Sequence, residues 1–160
     1  DFSIWLTGLE LKHVPGVYAL GTAWLGWIQA NAEDFNAIAD VARVKGIMMR
    51  VVELDESYDF GGPHLYLGAL ETFLPPAMGG RPEIGRRHFE RAIELSDGRN
   101  LMAKVMFAEM YARIVFDREL HDSLLMGVLS SDPHANGLTL QNVIAQTEAA
   151  VLLAGSDDYF

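Results

Sequence analysis

Between Gly61 and Leu95 the chain reads GGPHLYLGALETFLPPAMGGRPEIGRRHFERAIEL, and this run constrains the fold more than any other: it describes two helices folded back on each other. Pro63 suits a first helical position, where its missing N–H would have had no partner, and Gly62 before it suits the cap. Leu65, Leu67, Gly68, Leu70 and Phe73 carry the first helix until Pro75-Pro76 stops it. Gly79-Gly80 supplies a turn, Pro82 permits a fresh start, and Gly85, Phe89, Ala92 and Ile93 form an apolar stripe at i, i+4, i+7 and i+8. Arg86, Arg87, Glu90, Arg91 and Glu94 fill the other face. Gly68 and Gly85 sit where two antiparallel helices would approach closely. Pro63, Gly68, Gly85, Phe89, Ala92 and, further on, Ala108 are therefore expected to be packing positions.

The flanking sequence keeps the same helical grammar. Val14-Pro15-Gly16 marks a boundary before a helix expected from about Val17 to Ala30. Asn31 is expected to cap a long second helix, with Asp34 at its third position and apolar residues at helical spacing from Phe35 to Leu54. Asp55 to Phe60 reads as polar turn material. Beyond the hairpin, Ser96-Asp97-Gly98 ends one helix, and a fifth helix from Leu101 to Phe116 is apolar on more than one face, which places it centrally. Asp117 starts a sixth, Asp132-Pro133 and Asn136-Gly137 close it, and Thr139 is expected to cap a last helix from Leu140 to Leu153. No strand-like alternation of any length interrupts this pattern. The expected fold is all-α: antiparallel helix hairpins stacked as a tetratricopeptide-like α-α superhelix. One domain over residues 1–160 is expected, with helix pairs at about 14–55, 62–97 and 100–133 and a final helix at 139–154. The endings MMRVVELD, FERAIELS and LLMGVLSSDP recur; the second spacing is near the ~34 residues of that repeat, and the first fits it when Pro75 to Gly79 is treated as a five-residue insertion.

Charge and motif inventory exclude most chemistry. Twelve basic against 22 acidic residues leave a net charge of −10, which disfavours nucleic acid or an anionic membrane surface as partner, because both require clustered cations. Without cysteine there is no disulfide and no thiol nucleophile. The longest apolar stretch, Val14 to Ile28, is broken by Pro15, Gly16, Gly21, Thr22 and Gly26 and reads as a buried helix rather than a membrane span. The opening residues carry neither an initiator methionine nor the regions of a signal peptide, so an N-terminal portion is expected to be missing. The five histidines show no metal spacing, no phosphate loop or nucleophile elbow is present, and no cofactor, metal or catalytic residue is expected. Asp55, Ser57 and Asp59 start like a calcium loop, but Phe60 and Tyr66 occupy the places of its glycine and glutamate, so a capping turn is the expectation. Glu83 with Arg87 and Glu109 with Arg113 have the spacing of salt bridges on solvated helix faces. Two clusters suit ligand binding. Trp24, Trp27, His64, Tyr66 and Phe73, with Tyr111, would line an apolar pocket with polar handles; core or protein interface is the commoner use of such aromatics. Met102, Met106 and Met110, with Met48, Met49 and Met78, would make an adaptable wall, or simply fill core.

The run from Gly61 to Leu95, continued by NLMAKVMFAEMYARIVFDRELHDSLL, resembles the TatT family, the tetratricopeptide-like T components associated with TRAP transporters. VPGVYALGTAWLGWIQAN, VVELDESYDFGGPHLYLG and LTLQNVIAQTEAAVLLA extend the resemblance over nearly the whole sequence. It implies a non-catalytic periplasmic lipoprotein whose lipid anchor lies outside this chain and provides the only membrane contact. It also implies a homotrimer that binds the substrate-binding P component of the transporter and passes on a small organic or hydrophobic ligand. No lipobox cysteine is present to match the family's anchor. A general adaptor that holds a peptide or helix in its groove is the alternative.

Overall fold

A computed structural model describes residues 1–74 and 76–160, and of Met78 only the backbone. The stop expected at Pro75 and the Met78 side chain of the methionine wall thus lie outside the described residues. The protein is all-α, with no strand among the described residues. A short α1 (Phe2–Thr7) precedes α2 (Val14–Ala30), which carries Pro15 in its first turn. Asn31 closes α2 instead of opening the next helix: its Nδ2 donates to the Trp27 carbonyl at 2.8 Å. Asp34 does the capping, accepting from the Asn36 N–H at 2.8 Å, and the expected long helix is divided at Asp40 into α3 (Phe35–Ala39) and α4 (Val41–Asp55).

The central hairpin is formed by α5 (Tyr58–Thr72) and α6 (Pro82–Leu95). Asp59, Phe60 and Gly61 all adopt left-handed backbone angles, so regular helix begins only at Gly62, with Pro63 in its first turn. Antiparallel packing follows from three close approaches. A side chain at Gly61 would meet the Ala92 backbone, one at Gly68 the Phe89 ring, and one at Gly85 the Thr72 methyl and the Gly68 carbonyl. The Arg81 N–H donates to the Glu71 carbonyl at 2.8 Å, which ties the end of α5 to the start of α6. Gly98 takes the left-handed cap conformation, and its N–H closes on the Ile93 carbonyl at 2.8 Å.

The next helix does not run unbroken to Phe116. It is α7 (Leu101–Phe107), continued by a π turn over Ala108–Ala112. The wider turn rotates Tyr111 into the core, where its hydroxyl donates to Glu83 at 2.8 Å. Glu83 therefore serves Tyr111 rather than Arg87, and Arg113 lies over the Tyr159 ring instead of pairing with Glu109. The exposed-face pairs that do form on α6 are Arg86 with Glu90, at 2.8 Å, and Arg91 with Glu94, at 2.7 Å. Asp117 caps α8 (Arg118–Leu129) through the Leu120 N–H. Thr139 does not cap the last long helix. It is the first residue of α9 (Thr139–Ala154), its hydroxyl bonds back to the Ala135 carbonyl, and Leu138 occupies the cap. A single turn, α10 (Ser156–Tyr159), ends the chain.

Each long helix packs on its chain neighbour, and α2, α5 and α7 pack also on the next but one: α2 on α4 and α5, α5 on α6 and α7, α7 on α8 and α9. One layer thus holds α2, α5, α7 and α9, and the other α4, α6 and α8. Phe89, Ala92, Phe107 and Tyr111 build the core around the hairpin, while Leu101, Ala108, Leu125 and Ala149 build the next one along.

Candidate functional site

Because α5 packs on both α2 and α7, these two helices stand as walls of a cleft whose floor is α5. A cavity of about 230 Å³ occupies it. Leu25 and Gly26 line it from α2, Tyr66, Ala69 and Leu70 from α5 with Phe73 just beyond, and Met106 and Met110 from α7 and its π turn. A second cavity, of about 240 Å³, shares Tyr66 and Met106 with the first and is lined further by Tyr18, Asp59, Gly62, Asn100 and Gln141. The two spaces therefore adjoin along one cleft face, the first at its apolar end and the second at its polar end.

The polar end is built by local backbone geometry. The left-handed turn at Asp59–Gly61 lifts the Asp59 carboxylate towards α2, where the Tyr18 hydroxyl donates to Oδ2 at 2.8 Å. Gly62 is required for this contact, because any side chain there would occupy the position of the Tyr18 hydroxyl. Burial, followed by the bond to Asp59, holds the Tyr18 phenol well above its usual range; burial and the Asp59 charge raise Tyr66 likewise. Both phenols stay neutral. Asp59 is the one charged residue among the described residues that line either cavity.

On the opposite face of α5 the polar groups satisfy one another. Glu71, 4% exposed, accepts from Lys45 Nζ at 2.5 Å and from the Arg81 guanidinium at 2.6 and 2.9 Å. Nδ1 of His64 and Nδ1 of His88 are 2.8 Å apart, and Nε2 of His64 faces Glu56, which is also held by Arg91. Burial lowers both histidines, His88 to about 4 with the neighbouring His64 adding to the effect, so the pair is neutral near pH 7. A cavity of about 340 Å³ between α4, α5 and α6 opens beside this cluster. Among the described residues no group of three or more histidines and carboxylates is placed to hold a metal ion.

Of the six residues proposed for ligand contact, the structure brings Tyr66 and Phe73 into the cleft. Trp24 packs between α2 and α4, Trp27 is half exposed, His64 turns to the opposite face of α5, and Tyr111 lies in the hairpin core. Met102, Met106 and Met110 all line the cleft, whereas Met48 is core and Met49 borders the cavity beside His88. Sequence reasoning missed Tyr18, Asp59 and Gln141. Tyr18 lies two turns before Leu25 on the same helix, and that spacing alone could have suggested it.

The model of one protein family, described as TRAP transporter T-component, matches residues 1–160. Comparison with curated proteins finds no match.

Proposed function

Since the chain belongs to the TRAP transporter T-component family, we propose that it is a non-catalytic periplasmic subunit that binds the substrate-binding P component and carries a small organic or hydrophobic ligand in its α2–α5–α7 cleft. The family match over the whole chain carries this reading. The cleft gives it a physical basis, since stacked helix hairpins create a concave surface between alternate helices. The alternation of α2, α5, α7 and α9 against α4, α6 and α8 supports a tetratricopeptide-like superhelix. No helix of the described residues is long and apolar enough to cross a membrane, so attachment through a lipid anchor outside this chain fits the family role. The outer face of α9 exposes Leu140, Val143, Ile144 and Val151 and carries one acidic residue, Glu148, which supports self-association; the family resemblance favours a trimer.

Native mass spectrometry of the protein, alone and mixed with P components encoded beside it, tests the proposal. A trimer that takes up P subunits is the expected result. A monomer that ignores every P component in the panel would overturn it.

A further inference from the structure

Resting on the ligand-carrying part of that reading, we infer that the cleft takes an amphipathic organic cation, with an alkyl chain along α5 beside Leu25, Leu70, Phe73 and Met110 and an ammonium head in the neighbouring cavity against Tyr18, Tyr66 and Asp59. The two cavities share Tyr66 and Met106, so they adjoin, and a single extended molecule that fills both passes these two side chains. From Gly62 to Phe73 the floor of the cleft is about 16 Å long at the α-helical rise. Among the described residues no charged one lines its outer half, which suits methylene groups and gives no counter-ion to a charge.

The head end selects the sign. The Tyr18 and Tyr66 rings are 5.8 Å apart at 69°, and so form two sides of an aromatic corner, with the Asp59 carboxylate beside it. Ring faces attract cations through their quadrupole, most strongly for ammonium groups freed of part of their water. A carboxylate head would instead face Asp59 with no cation lining either cavity to offset the repulsion. Asp59 accepts the Tyr18 hydroxyl through Oδ2 only, leaving Oδ1 to meet the head group. The raised phenols keep the corner neutral, and the net charge of −10 draws cations towards the molecule as a whole.

Calorimetric titration of this chain with octyltrimethylammonium, octyl glucoside and octanoate, each below its micellar concentration, tests the inference. The cation should bind at least ~10-fold more tightly than octanoate. Asp59→Asn removes the charge at a left-handed position that asparagine tolerates. It should weaken the cation about 10-fold and leave octyl glucoside within about 2-fold. Gly26→Leu adds bulk at a residue that lines the apolar end, where an added side chain has free space at its base, and should weaken all three. Octanoate binding as tightly as the cation, or Asp59→Asn leaving the cation unaffected, overturns the head assignment while the cleft keeps its ligand-carrying role. If no octyl compound binds, both ligand statements fail, and uptake of the P component remains a separate result.

Discussion

At Gly68 an added methyl would lie 2.8, 2.8 and 2.9 Å from three carbons of the Phe89 ring, and Phe89 is fully buried with no room to withdraw. Gly68→Ala should therefore destabilise the protein by about 1–3 kcal/mol despite the better helix propensity of alanine. Gly26 offers the opposite case: it is helical, its added methyl meets nothing within 4 Å, and Gly26→Ala should stabilise by roughly 0.5–1 kcal/mol. Thermal melts of the two variants should move in opposite directions, and a shared direction would refute the close approach of α5 to α6. A second residue-scale effect concerns the His64–His88 pair. Both imidazoles are lowered from their ordinary value near 6.5, His88 to about 4, so the unfolded chain binds protons before the folded one does. Their contribution is complete above pH 6.5 and is lost as the pH falls towards 4. Burial dominates this balance, with Glu56 and Arg91 facing His64 and His64, Glu71, Lys45 and Arg81 facing His88 as the smaller contributions. Melting temperature should drop across that window in the wild type and drop less in His88→Gln. An equal slope in both would show that the pair does not govern it.

Between elements, one buried side chain performs the work of several caps. Asn142 on α9 is fully buried; its Oδ1 accepts the Leu101 N–H at the start of α7, and its Nδ2 donates to the Arg99 and Pro133 carbonyls. Helix starts leave backbone N–H groups without intrahelical partners, and here a distant helix supplies the acceptor. Asn142→Ala should cost about 3 kcal/mol, because it strands one donor and two acceptors away from water. Asn142→Asp keeps the acceptor but sets a buried carboxylate oxygen against the Arg99 and Pro133 carbonyls, so near pH 7 it should be no more stable than Asn142→Ala in a denaturant titration; wild-type stability would mean that the two carbonyls find other partners. No sequence pattern announces such a contact, and this separates what the sequence revealed from what it concealed. Pro63, Pro82, Asp117 and Gly98 act through rules local to a few residues, so the hairpin and most helix ends were legible. The left-handed run at Asp59–Gly61, the division at Asp40 and the π turn at Ala108–Ala112 depend on what each segment meets in space. The cleft inherits this limit. Its polar end is made by that left-handed run, so an aromatic stripe read along the sequence found only Tyr66 and Phe73, whereas Met102, Met106 and Met110, at helical spacing on α7 and its π turn, were legible.

Across the whole molecule, packing is mostly between helices close in sequence, each long helix bound to its neighbour and α2, α5 and α7 also to the next but one. Stability in such an array is a sum of local interfaces, and it need not be lost everywhere at once. The closest interface is that of α5 with α6, where three glycines bring backbone against side chain and backbone, and it is flanked on both sides by buried cores. The ends are different: α1 has no buried residue, α3 buries only Ala37, and α10 buries only Ser156. Amide hydrogen exchange should therefore be slowest in α5, α6 and α7 and fastest in α1, α3 and α10, with α9 between them. Because the cleft is floored by the most protected helix and walled by α2 and the π turn, ligand exchange should proceed by movement of the walls while the floor stays closed. Saturation with a cleft ligand should then slow exchange in α2 and residues 106–112 and leave α5 unchanged. Uniform slowing over the whole chain would instead mean that the protein opens as a single unit, and that access to the cleft requires the hairpin itself to separate.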